Sequence, residues 1–159
     1  MSTTPRVEAV TAWLDDHHVA HRLIHHDPAA SAGEEAVVLG RAAETVAKTV
    51  VIDWQGGHRL AVVPACERVS LPKLRKLLGA DRHLVLADEH ELERDLPGFE
   101  LGAIPPLGPM VPAPEIVDHR LLDYGHIHCP AGDREHSLVV DPEDLVRVTG
   151  ATVADICED

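Results

Sequence analysis

The chain reads as an α+β protein, and three features of its sequence point there. Apolar residues at helical spacing in 7–18 give way to strand-like alternation between Val46 and Val63, and strands return after residue 115. A stretch dense in proline and glycine, 97–114, interrupts regular structure between these halves. Hydrophobic residues make up 45% of the chain but aromatics only 3%, so the core must be built from Val, Leu, Ile and Ala, and any pocket in it is aliphatic. At 159 residues the expectation is one domain, 1–159, able to bury roughly two-thirds of its unfolded surface.

The elements follow in order. Val7, Val10 and Trp13-Leu14 mark an amphipathic first helix over 7–18. A second helix is expected over about 31–39, with Ser31 as N-cap, Glu34 three residues on and Gly40 closing it. Val46 to Trp54, a Gly56-Gly57 turn and His58 to Val63 read as a hairpin stopped by Pro64. Leu71, Leu74, Leu77 and Leu78 before Gly79 make a short helix with basic residues on its other face. Leu84-Val85-Leu86 reads as a buried strand, and Asp88 with Glu91 caps a helix to about Leu96. Six prolines and three glycines in 97–114 leave a shaped loop whose centre, 101–108, is unusually apolar for a solvent linker. Ile116-Val117, Tyr124 to Cys129 and His136 to Val140 are read as strands. Asp141-Pro142 then starts a helix ended by Gly150, and Thr152 to Asp155 opens a final turn.

Lys48 stands out within the hairpin, because it interrupts the apolar run Val46-Ala47-Lys48-Thr49-Val50-Val51-Ile52. The chain has three lysines against eleven arginines, so this is not routine use of a common cation. Desolvating an ammonium costs several kcal/mol unless an anion compensates it, so Lys48 is either a snorkelling edge residue or the floor of an anion site. The net charge of −13 disfavours indiscriminate nucleic-acid binding, yet Arg68, Lys73, Arg75, Lys76 and Arg82 cluster within fifteen positions. That cluster is a solvated helix face unless something else calls for a phosphate. Cys66, Cys129 and Cys157 are odd in number and widely spaced, which argues against disulfides and zinc knuckles and fits a reducing cytoplasm. Met1-Ser2-Thr3-Thr4-Pro5-Arg6 lacks the apolar core of a leader, and no run approaches a membrane span.

Three segments in fixed order carry a resemblance: Ala47-Lys48-Thr49-Val50, then Gly102-Ala103-Ile104-Pro105-Pro106-Leu107-Gly108, then Ala131-Gly132-Asp133 leading to Asp141-Pro142-Glu143-Asp144-Leu145. Together they resemble the stand-alone aminoacyl-tRNA deacylases related to the editing domain of bacterial prolyl-tRNA synthetases, often called the YbaK family. The match is collinear from about residue 20 to the end. The resemblance implies a mixed, partly barrel-like β-sheet surrounded by helices, and hydrolysis of the ester joining an amino acid to the wrong tRNA. It implies that Lys48 holds the phosphate region of the terminal adenosine. Gly102, Ala103, Ile104 and Pro105 then form the catalytic loop, and Pro106, Gly108, Gly132 and Asp133 join Lys48 around the substrate, unless Asp133 is a turn residue; His136 joins them if its strand face points inward. Backbone N–H groups of such a loop can stabilise a tetrahedral oxyanion, and an activated ester needs little from a protein nucleophile. No G-x-S-x-G elbow is present. Lys73, Arg75 and Lys76 are the expected contacts to the tRNA acceptor end, a synthetase is a possible partner, and neither DNA nor a membrane is expected.

Synthetase-linked relatives often carry a histidine near Ala131-Gly132, where this chain has none. Strand alternation puts His136 with Leu138 and Val140 on one face and Ser137 with Val139 on the other. The twelve histidines, notably His17-His18-x-x-His21, His25-His26 and His126-x-His128, do not make a convergent zinc set, so no metal or other cofactor is expected. His26 reads as a surface residue, and His126 and His128 as neighbours on a solvent-facing strand face. A different function class is a non-catalytic module that binds tRNA or an aminoacyl ligand through the same pocket, which the acidic balance favours.

Overall fold

The computed structural model describes residues 4–159; Met1, Ser2 and Thr3, part of the stretch read above for a leader, lie outside it. Helix α1 (Pro5–Asp16) starts at Thr4, whose hydroxyl accepts from the Val7 N–H, and turns Val7, Val10 and Leu14 inward. It is followed by β1 (His21–His25) and α2 (Ala32–Leu39), the latter capped by Ser31 and ended by Gly40 in the left-handed region. The hairpin β2 (Ala47–Trp54) and β3 (Gly57–Pro64) leads to α3 (Leu71–Leu78), β4 (Val85–Leu86) and α4 (Glu89–Asp95). After the proline-rich loop come β5 (Glu115–Asp118), β6 (Ile127–Pro130), β7 (His136–Val140), α5 (Pro142–Thr149) and β8 (Thr152–Ala154).

These strands form two sheets, one of order β1-β7-β6 and one of order β4-β2-β3-β5-β8. The first is antiparallel, while β3, β5 and β8 of the second run parallel. A bridge between Val46 and His128 joins the sheets at one corner without closing them into a barrel. The main core lies between them: Val51, Leu60, Val62 and Val117 face Ile127, Cys129, Leu138 and Val140, with α1 sealing one end. On the other face of the larger sheet Ile52, Ala61, Val63 and Ile116 pack against Leu74 of α3. Both faces of β3 are therefore buried, which is why Leu60 to Val63 read as an unbroken apolar run. No helix among the described residues is long and apolar enough to cross a membrane.

Several expectations are corrected. The hairpin turn is Gln55-Gly56, both with positive φ, while Gly57 already belongs to β3; the adjacent glycine pair masked that register. β4 is an exposed edge, with Val85 and Leu86 at 43% and 52% exposure, and only Leu84 of that trio is buried. Residues 119–123 form a 3-10 turn, so β6 begins at Ile127 rather than Tyr124. The last expected turn is the short parallel strand β8, completed by hydrogen bonding to β5 that no local pattern encodes. β1 was not expected at all, because His21 to His25 carries too few apolar residues to show an alternation.

Candidate functional site

The site is built where the proline-rich loop meets the turn after β6. The Gly132 carbonyl accepts from the Glu100 N–H at 3.0 Å, and the Arg134 guanidinium donates to the Leu101 carbonyl at 3.1 Å. The turn is tied in the same way to the segment before α2, through Ala29 N–H to the Arg134 carbonyl at 2.8 Å and His26 N–H to the Glu135 carbonyl at 2.9 Å. Gly102 closes the arrangement. Its φ is +80°, and a Cβ there would come within 2.3 Å of the Ala30 carbonyl oxygen, so only glycine lets the loop lie on this segment.

Between these pieces is a narrow cleft lined by Gly102, Ala103, Asp133, His136, His26 and Glu35, with room for about one water at 10 Å³. Asp133 is buried and accepts from the Glu135 N–H at 2.9 Å and from His136 Nδ1 at 2.9 and 3.0 Å. Asp133 therefore fixes a proton on His136 Nδ1, and Nε2, which bonds to no protein group among the described residues, is the acceptor of the neutral ring.

A second buried set lies against α2. His26 Nδ1 donates to the Asp27 carbonyl at 2.7 Å, its Nε2 lies 2.8 Å from Ser137 Oγ, and Ser137 Oγ also bonds the Glu35 carboxyl. Burial pushes the Glu35 carboxyl up from 4.5 to about 7, against the lowering effect of the Ser137 hydroxyl. Ser137 has one proton for two neighbours, so the chain is satisfied only when a proton sits at one end. Either neutral Glu35 donates inward or His26 is protonated.

Lys48 shares a face of β2 with Val46, Val50 and Ile52. Val46 packs with Ala32 and Ala36 of α2, and Val50 and Ile52 pack on the α3 side, so Lys48 lies between the two helices. It is half-buried and lines a groove of about 510 Å³ with Arg68, Leu71, Pro72 and Arg75. The Lys48 side chain makes no hydrogen bond or ion pair among the described residues. The bridge between Val46 and His128 lays the start of β2 beside β6, the strand that runs to Pro130 at the cleft. Cys66 feels the Lys48 charge, but burial, Glu44 and Glu67 outweigh it and push the thiol up, away from a nucleophilic thiolate.

A sequence profile of the aminoacyl-tRNA editing domain matches residues 26–148. The chain belongs to that family. Among solved structures, it is similar to a candidate trans-editing enzyme for prolyl tRNA synthetase, at 27% identity and a TM-score of 0.86, covering 99% of this chain and 100% of that one. A hypothetical protein, APE2540, matches at 27% identity and a TM-score of 0.84 over 94% and 99% of the two chains. A scaffold protein used in computational epitope grafting matches at 28% identity and a TM-score of 0.83, over 99% of each chain.

Within this editing domain, the structure brings Gly102, Ala103, Asp133 and His136 around one cleft, while Lys48 opens on the neighbouring groove. Ile104 and Leu107 instead anchor the loop in the main core, and Pro105, Pro106 and Gly108 are buried within it. Gly108 donates its N–H to buried Glu115 at 2.8 Å, and burial pushes that carboxyl up from 4.5 to about 8. Of the expected tRNA contacts, Lys73 is bound to Asp155, Asp159 and the Cys157 carbonyl, Arg75 donates to the Leu84 carbonyl, and Lys76 is exposed.

Two histidine readings are corrected, since His26 is a buried member of the Glu35 network and His128 is 6% exposed rather than solvent-facing. Sequence reasoning missed both Glu35 and the role of His26. For Glu35 a signal existed, because Ala32, Glu35 and Ala36 share the i, i+3, i+4 spacing of an inward stripe. The two groups with metal-like convergence among the described residues, Asp53-His58-Glu91 and Asp118-His119-Asp155, lie outside the cleft. Four of their six members are already committed to ion pairs, His58 with Asp53, and Asp118 and Asp155 with Arg120.

Proposed function

We propose that this editing domain acts in trans on mischarged aminoacyl-tRNA, hydrolysing the ester between the amino acid and the 3′ ribose. The observation that carries the reading is the meeting of Gly102 and Ala103 with the Asp133-His136 pair across one cleft. Water attacks the ester carbonyl carbon and gives its proton to His136 Nε2. The oxyanion draws on the backbone N–H groups of Gly102 and Ile104, because Pro105 has none and that of Ala103 already donates to the Glu100 carbonyl at 3.0 Å. Collapse breaks the bond to the ribose oxygen, which takes the proton back from His136 and leaves as the free 3′ end, releasing the amino acid. Lys48, half-buried and without a partner among the described residues, supplies a point charge for the phosphate of the terminal adenosine. Because a lysine that holds phosphate stays protonated, it is not the base.

The test is a panel of mischarged tRNAs incubated with the purified chain and with Lys48→Ala and His136→Asn variants. Lys48→Ala is expected to raise KM with unchanged melting, and His136→Asn to lower kcat by about 10²-fold or more at temperatures where the variant remains folded. Hydrolysis of no member of the panel, with tight binding retained, would replace the enzyme by a binding module. Full activity in a folded His136→Asn variant would remove His136 from the chemistry.

A further inference from the structure

Arg22 on β1, Val139 on β7 and His128 on β6 form one row across the smaller sheet, since Val139 is the register partner of both others. They share its outer face, and two strand spacings separate Arg22 from His128 by about 10 Å. Arg41, just beyond α2, and His126, just before β6, complete a cleft of about 410 Å³. No acidic side chain among the described residues lines it: Arg22, Arg41, Thr45, His126, His128 and Val139 are its walls. None of the side chains of Arg22, Arg41, His126 and His128 has a hydrogen bond or ion pair among the described residues.

His128 is the unusual member. It is 6% exposed, and neither ring nitrogen finds a partner, although a neutral imidazole has both a donor and an acceptor to satisfy. Burial holds its pKa below the ordinary value of 6.5, and the charges of Arg41, Arg22 and His126 lower it further. Four cationic or protonatable groups converge with no compensating anion, in a chain of net charge −13. Such a constellation is complementary to an oxyanion: guanidinium forks match phosphate oxygens in pairs, and a histidine N–H adds a further donor. Thr45 contributes only shape, because its hydroxyl proton goes to the Ala42 carbonyl at 2.8 Å.

We infer that this cleft is a phosphate-binding site, distinct from the groove at Lys48, and that its occupant is a backbone phosphate of the tRNA. The assignment to RNA rests on the editing reading above, whereas the phosphate chemistry does not. Occupancy reverses the electrostatics at His128: a phosphate oxygen beside the ring offsets the two arginines and favours the imidazolium, so binding takes up a proton near neutral pH.

The test has two arms, neither of which uses deacylation, so failure of the editing activity leaves it intact. In the first, inorganic phosphate is titrated into the full chain while histidine ring signals are followed by NMR. Saturable shifts of His128 and His126 are expected, with the His128 midpoint moving up in pH, and both effects should vanish in a doubly substituted Arg22→Gln, Arg41→Gln chain. Both arginines are exposed, so an unchanged melting curve serves as the control for folding. In the second arm, an uncharged acceptor-stem RNA hairpin is bound to the same proteins. The double variant should bind about tenfold more weakly at low salt, with a salt slope shallower by about one to two. Loss of the phosphate response with RNA affinity unchanged keeps the pocket but overturns RNA as its source, in favour of a free phosphate compound. No saturable histidine shift in the parent chain overturns the site altogether.

Discussion

Besides the Ser137 hydroxyl proton and the His26 Nδ1–H, the buried set of Glu35, Ser137 and His26 shares one further proton, and the position of that proton sets a pH dependence. The raised carboxyl of Glu35 contributes its full stability below its unfolded value of 4.5, and that contribution is lost as pH rises through about 7. Each tenfold change in proton affinity is worth about 1.4 kcal/mol, so a rise from 4.5 to about 7 makes the effect on the order of 3 kcal/mol. Glu35→Gln copies the neutral acid, since its amide can donate to Ser137 Oγ while Ser137 donates to His26 Nε2. Melting temperature against pH should therefore fall more steeply for the parent than for Glu35→Gln between pH 5 and 8. Parallel curves would show that Glu35 is ionised throughout. Ser137→Ala should cost about 1 to 3 kcal/mol at any pH, because it strands two buried partners at once. At this scale the sequence was only partly legible. The helical phase of Glu35 and the strand phase of Ser137 were readable, but that the two phases face each other depends on how α2 crosses β7, which is a tertiary fact.

The element that decides the site is the loop over 97–114, and it is held by two kinds of constraint. At one end Gly102 rests on the Ala30 carbonyl, and at the other Gly108 donates to Glu115 while its own carbonyl accepts from Ala113 at 2.7 Å. Gly102→Ala should shift the loop away from residues 29–31, costing roughly 1 to 3 kcal/mol and most of the editing activity, measurable by melting and by turnover on the same sample. Glu115 behaves as Glu35 does, over a wider window: its contribution is complete below 4.5 and is lost as pH rises through about 8. Glu115→Gln keeps the acceptor for the Gly108 N–H, so the stability difference from the parent should grow in the variant's favour from pH 5 to pH 9. A constant difference would mean that Glu115 is ionised throughout that range. Capped elements were the most legible part of the sequence, since Ser31, Asp88 and Asp141 cap as expected and Gly40, Gly79 and Gly150 end their helices. Legibility failed at β1 and β8, whose residues carry little local alternation and become strands by pairing with β7 and β5, whereas β4 was readable as a strand but not as the exposed edge it is.

On the scale of the whole molecule, the acidic balance and the basic clefts act over different distances. The chain carries 27 acidic against 14 basic side chains, yet many bases are neutralised locally, as Lys73 is by Asp155 and Asp159 and Arg120 by Asp118 and Asp155. Among the described residues, the cations left without partners include Lys48 and Arg68 in one groove and Arg22 and Arg41 in the other cleft. Charge reversal at exposed Lys76 should weaken RNA binding, whereas reversal at Lys73 should first loosen the tail over residues 155–159 that it ties down. The Debye length falls from about 30 Å at 0.01 M salt to about 10 Å at 0.1 M, so the net charge of −13 repels an approaching tRNA across the gap only in dilute salt. The paired cations of the clefts act at contact distances, where salt instead competes for the phosphates. In stopped-flow measurements salt should therefore act on affinity in opposite senses through the two rate constants. Between 0.01 and 0.1 M the association rate should rise or stay level as repulsion is screened, while the dissociation rate climbs and affinity falls. An association rate that drops steeply over that range would show that the basic clefts, rather than the acidic surface, dominate the field met by the incoming RNA.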